Sequence, residues 1–170
     1  PKVFNALLAT LAKPTARFSR RLSRFYSRVG KAIEAIDPDA LLFVEPMALA
    51  GIGVPSRMPR PALKTVVYAP HLYDAFVDSG GSWDGNIKRV EDALRNHKAE
   101  AKRMNAPLVI GEFFAGPTTD AAARYREFYD KGYAGSWAWS LFPGSTSDGM
   151  VIDLAAAAAL ASTYADTGPR

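Results

Sequence analysis

The chain has 170 residues, 48% of them hydrophobic and 22% charged, the make-up of one ordinary globular domain, which excludes a disordered or collagen-like polymer. With no cysteine and two histidines, His71 and His97, it excludes disulfide frameworks, thiolate metal sites and cysteine nucleophiles, and no metal or other cofactor is expected. The net charge of +4 is unevenly placed, because residues 1–30 carry Lys2, Lys13, Arg17, Arg20, Arg21, Arg24 and Arg28 and no acidic residue. That basic segment reads as a solvated helix face, as contact with an anionic surface, or as an Arg-rich leader-like element. A membrane reached through Arg20, Arg21 and Arg24 is the anionic partner considered; a nucleic acid is not expected. The longest run of small apolar residues, Leu154 to Ala161, is too short to span a bilayer, so a soluble chain is expected.

Phe18, Leu22, Phe25, Val29, Ile33 and Ile36 recur at spacings of three and four and predict an amphipathic helix. Thr15 after Pro14 is its expected N-cap, and Asp37-Pro38 its stop. Leu41 to Val44 predicts a short buried strand, and the proline-rich stretch 46–64 a long loop with at most one helical turn. Gly51-Ile52-Gly53 in that loop lacks the third glycine and the following helix of a nucleotide-binding turn. Thr65 to Ala69 is the second predicted strand, running into Pro70-His71-Leu72-Tyr73. A helix follows with Ile87, Val90, Leu94, His97, Ala101 and Met104 on one face, ended by Asn105-Ala106-Pro107. Leu108 to Ile110 is the third strand, closing on Gly111-Glu112-Phe113. A helix over 119–131 with Gly132 as its terminal glycine, a strand over 135–141 and an alanine-rich helix from Asp153 complete the pattern.

Strands alternating with helices imply parallel pairing and an α/β fold. An open doubly wound sheet and part of an eight-fold barrel both fit. Glu45, His71 with Tyr73, Glu112, and Trp139 with Ser140 all sit at or just past strand ends, and four ends converging on one mouth favour the barrel. Glu112 is the leading candidate for chemistry, because a carboxylate between a glycine and a phenylalanine at a strand's end is partly desolvated. His71 and Tyr73 are two apart on an extended segment and point to one side, placed to bind a hydroxylated ligand or orient a carboxylate. His97 lies on an apolar helix stripe and reads as structural. Trp137 and Trp139 share a face of the fourth strand, where an indole offers a flat platform for a sugar ring.

Four segments taken in order, Leu42-Phe43-Val44-Glu45-Pro46, Tyr68-Ala69-Pro70-His71-Leu72-Tyr73, Pro107 to Phe113 and Trp137-Ala138-Trp139-Ser140-Leu141-Phe142, resemble glycoside hydrolase family 5, and within it the endoglycoceramidase-like branch. The resemblance covers roughly residues 20–155 and implies a (β/α)8 barrel and a retaining glycosidase that uses two glutamates. It implies Glu112 as nucleophile, His71 and Tyr73 as substrate-side partners, Trp139 as the sugar platform, and a β-glycan or glycosphingolipid as substrate. The family's Asn-Glu-Pro motif, which carries the acid/base glutamate, has no counterpart here: Val44 stands before Glu45-Pro46. Only one clear strand lies between Glu45 and Glu112, so Glu45 reads as a fifth-strand residue, with a role as the acid/base as the alternative. Residues 1–170 are then expected to be one partial domain, strands five to eight of a barrel, inactive alone and dependent on an N-terminal half-barrel or on self-association. The resemblance favours a secreted or membrane-associated location. A non-catalytic carbohydrate-binding barrel remnant and an anionic-surface module are the alternatives from other classes.

Overall fold

The computed structural model describes residues 2–81, 84–113 and 136–138. The first element, α1 (Lys2–Glu34), is longer than its periodicity predicts and runs through Pro14. Thr15 is therefore not an N-cap but a buried residue inside the helix. A proline removes one N–H and crowds the preceding turn. Alanines and leucines between residues 6 and 12 are strong helix formers and carry the helix past it. Arg17, Arg20, Arg21, Arg24 and Arg28 are all exposed along it.

The packed face of α1 is not the predicted one. Phe18 and Phe25 remain 53% and 49% exposed, with Val29, Ile33 and Ile36 also exposed. Buried instead are Thr15, Ser19, Ser23 and Gly30, with Leu22 and Tyr26 partly buried against the core. Small side chains let this helix lie close to its neighbours: a Cβ at Gly30 would meet Leu63 Cδ1 at 2.6 Å and Leu42 Cδ1 at 3.0 Å. The larger apolar residues, on the adjoining face, are left open.

After the turn at Asp37-Pro38, β1 (Leu42–Val44) pairs in parallel with β2 (Val66–Tyr68), Val44 opposite Tyr68. Then β3 (His71–Leu72) pairs in parallel with β4 (Ile110–Phe113), and β4 with β5 (Ser136–Ala138). Segments β2 and β3 follow one another along a single extended run, interrupted at Ala69-Pro70, where the proline has no N–H to give. Bonds from Ala69 N to Val44 O and from Gly111 N to Pro70 O, both 2.9 Å, and a bridge between Tyr68 and Leu108 carry the pairing across the break. The described strands thus stand side by side in chain order, all parallel, with no reversal of order among them.

On one side of the sheet, Val44, Met58, Leu63, Val66, Tyr68, Ala101 and Met104 form a buried cluster. Helix α3 (Lys88–Met104) supplies its predicted stripe, burying Val90, Leu94, His97, Ala101 and Met104. It ends at Asn105 in the left-handed conformation, whose N–H caps the last turn. The 46–64 loop holds one 3-10 turn at Ala48–Ala50. Within that loop, Ser56 and the Arg57 amide donate to buried Glu100 at 2.7 and 2.8 Å, and Tyr68 OH donates to the same carboxylate at 2.6 Å. A short helix, α2 (Ala75–Asp78), is capped by Asp74, which accepts from Phe76 N and Val77 N. Trp83, the helix predicted over 119–131, Trp139 with the end of the fourth strand, and the helix predicted from Asp153 lie outside the described residues. Among the described residues no helix is long and apolar enough to cross a membrane.

Candidate functional site

The cleft lies over the opposite side of the sheet from the core. Strand alternation sends Val44 into the core and turns Phe43 and Glu45 outward. One strand over, Leu72 is fully buried and His71 is not. On β4, Ile110 and Phe113 are both buried while Gly111 and Glu112 between them are partly exposed. Two residues between buried positions break a simple alternation, and the β4–β5 register shifts between Ile110 and Phe113. A bulge there re-aims the strand's end, which is how a carboxylate is turned toward a cleft without unseating Phe113.

His71 and Glu112 are direct partners across the β3–β4 pair. Their backbones are drawn together at Gly111, where a Cβ would lie 2.9 Å from the Ala69 carbonyl oxygen. That is backbone against backbone, so only glycine fits without moving a strand. From this register His71 Nδ1 comes within 3.1 Å of Glu112 Oε1, and its Nε2 within 3.2 Å of Glu45 Oε1. Tyr73 donates its hydroxyl to the same Glu112 Oε1. The Tyr73 ring stands edge-on to His71, with centroids 6.1 Å apart. The Tyr73 amide is held by the Gly51 carbonyl at 2.9 Å. Glu45 is anchored from α1, since Tyr26 OH donates to its backbone carbonyl at 3.0 Å. Phe43, Glu45, Ala69, His71 and Gly111 line an open cleft of about 490 Å³.

The electrostatics follow from partial burial. The Glu112 side chain is 18% exposed and that of Glu45 39%. Burial lifts the Glu45 carboxyl above the ordinary carboxylate range; His71 opposes this, and the charge of Glu112 adds a smaller lift. Burial also pushes the Tyr73 phenol up, reinforced by its bond to Glu112 and by the charges of Glu112, Asp78 and Glu45. Tyr73 therefore stays protonated and remains a donor. Behind the site, burial holds His97 down to about 4, so it is a neutral ring packed against Tyr68.

Three residues singled out from the sequence, His71, Tyr73 and Glu112, thus touch one another, and Glu45 joins them through His71. Trp139 lies outside the described residues, and Trp137 is placed only as part of β5. Sequence reasoning missed Glu100, whose signal was an acid beside the apolar stripe of α3, next to Ala101. Among the described residues no three His, Cys, Asp or Glu side chains group as a metal site. What the cluster offers is one partly desolvated carboxylate with the Tyr73 hydroxyl donating to one oxygen and a His71 ring nitrogen 3.1 Å from that same oxygen. A family model described as Cellulase (glycosyl hydrolase family 5) matches residues 12–145. No curated protein and no solved structure matches the chain.

Proposed function

The chain belongs to glycosyl hydrolase family 5, and from that premise we propose that it forms the nucleophile-bearing part of a retaining glycosidase, with Glu112 as the attacking carboxylate. The observation that carries this is the junction of His71, Tyr73 and Glu112 at one strand-end pair. Tyr73 donates to Oε1 and His71 Nδ1 stands 3.1 Å from it, and among the described residues no side chain donates to Oε2. Oε2 is then the oxygen that attacks the anomeric carbon, forming a glycosyl ester as the C–O bond to the leaving group breaks. Donors on Oε1 hold the carboxylate in one orientation, which lowers the entropic part of the barrier.

A second carboxyl must protonate the leaving oxygen, about 5–5.5 Å from the nucleophile in retaining enzymes. Glu45 is not given that role, because the His71 imidazole stands between the two carboxylates. We assign the acid to a strand that would lie beyond β1 in a (β/α)8 barrel, of which this chain would supply strands five to eight. The consecutive parallel strand order supports that placement. The substrate class proposed is a β-linked glycan or glycolipid, with Trp139 as the platform under the cleaved sugar. Replacing Glu112 by Gln in the complete enzyme is expected to lower turnover by about a thousand-fold or more while leaving affinity for the glycan in place. Turnover within a few-fold of wild type would overturn the assignment.

The exposed face of α1 favours a second reading, compatible with the first: attachment to an anionic membrane surface. Phe18, Phe25 and Val29 stand open on the same helix as exposed Arg20, Arg21 and Arg24, the pairing of an interfacial helix. Salt-sensitive binding to anionic vesicles, lost when the three arginines are neutralised, is expected; binding indifferent to both changes would remove this reading.

A further inference from the structure

We propose that Glu45 is a positioning residue: from the end of β1 it holds the Nε2 side of His71 so that the Nδ1–H of the same ring is directed at Glu112. The inference deepens the glycosidase reading and rests on it for its consequence, though its geometry does not. Both ring nitrogens face a carboxylate oxygen, at 3.2 and 3.1 Å. A neutral imidazole carries only one N–H, so one of those contacts would set lone pair against lone pair. Two arrangements avoid this. Either the ring is an imidazolium donating to both carboxylates, or Glu45 is a carboxylic acid donating to a bare Nε2 while Nδ1–H still donates to Glu112.

The two arrangements contain the same protons and differ only by one shift between Glu45 Oε1 and His71 Nε2. In both, Nδ1 bears a hydrogen and the Glu45–His71 pair has no net charge. The upward push on the Glu45 carboxyl by burial favours keeping that shared proton. When Glu112 spends its negative charge on the bond to the sugar, the neutral pair leaves no uncompensated charge beside the new ester. An isolated His71 would still be drawn to Glu112 through Nδ1–H, but its Nε2 would be left without a partner and the ring without a second anchor on its far side.

The other groups around the pair do not supply the same restraint. Tyr26 of α1 holds the Glu45 backbone carbonyl, not its carboxyl. Tyr73 donates to Glu112. Asp78 acts on Tyr73, and His97 of α3 is neutral and buried.

The test is the ring-nitrogen spectrum of the full chain labelled with 15N, recorded at neutral pH. Only two histidines are present, and the His97→Gln variant assigns them. In wild type, His71 Nδ1 is expected to read as protonated, with Nε2 at a position between protonated and bare. Glu45→Ala is expected to move the Nε2 signal to the bare position, since its partner on that side is gone. Glu45→Gln, nearly the same shape, is expected to keep a protonated Nδ1 through its amide while losing the shared-proton position of Nε2. A ring spectrum unchanged in both variants would overturn the proposal, and if Glu45→Ala does not fold, an unchanged Nε2 signal in Glu45→Gln alone does so. Labelling of Glu112 by a reactive fluorinated glycoside separates the two ideas. Ring shifts without labelling would sink the glycosidase reading and keep the positioning role; labelling without ring shifts would do the reverse.

Discussion

Glu112 and Glu45 are both strand-end glutamates, yet their surroundings differ. Glu112 accepts from the Tyr73 hydroxyl on the oxygen that His71 Nδ1 approaches at 3.1 Å, and is the more enclosed of the two. Glu45 meets one imidazole nitrogen and faces the open cleft beside Phe43. The Tyr73 bond is the one most directly tied to reactivity, since a hydrogen bond to a charged group is worth about 1.5–3 kcal/mol. In the complete enzyme, Tyr73→Phe is expected to lower kcat by about ten- to a hundred-fold with KM nearly unchanged; a raised KM with kcat unchanged would place Tyr73 in ground-state binding instead. Glu112, His71 and Tyr73 could be picked out of the chain because each is a polar residue breaking an apolar strand end. The link from Glu45 to them was not legible. It depends on the β1–β2 and β3–β4 registers acting together, and pairing register is not written in local composition.

At the scale of elements, α3 was readable because its apolar residues return every three or four positions and the structure buries that stripe. Helix α1 has the same kind of stripe and leaves all of it but Leu22 exposed. Periodicity reports that a face is apolar, not which neighbour covers it, and close approach through Ser19, Ser23 and Gly30 is invisible to a hydrophobicity count. Its start was misread for a related reason: Pro14 costs one bond, and a long run of good helix formers outweighs that. Strand β4 begins at Ile110, two residues later than its apolar run, because Leu108 makes only an isolated bridge to Tyr68. His97 brings a pH dependence to this layer. Its folded value, about 4, lies below the ordinary 6.5, so the unfolded chain takes up the proton first. Stability is expected to be unaffected by this group above about pH 6.5, to fall as pH drops toward about 4, and to level off below, by about 3 kcal/mol in all. Asp84 and Asp92, both held low by basic partners, act at more acid pH. Urea unfolding at pH 7 and pH 5 checks this: His97→Gln is expected to narrow the gap between the two curves, and a gap unchanged by that substitution would assign the acid sensitivity elsewhere.

For the molecule as a whole, α/β alternation was legible from the order of strand and helix signals, and the described strands follow it in parallel and in sequence. The strand order adds what periodicity could not supply: His71 and Glu112 become next neighbours although 41 positions separate them. On the proposed reading the acid side of the reaction belongs to a strand beyond β1, and Glu112 is the point at which that reading is exposed to test. The most direct measurement treats the complete enzyme with a fluorinated β-glycoside carrying a nitrophenolate leaving group, followed by peptide mass mapping. Such a leaving group departs without a general acid, so the trap reports on the nucleophile alone. A glycosyl adduct on the peptide containing Glu112, absent from Glu112→Gln, is the expected result. An adduct on Glu45 or any other side chain, or no adduct from an enzyme that turns over its glycan, would contradict it.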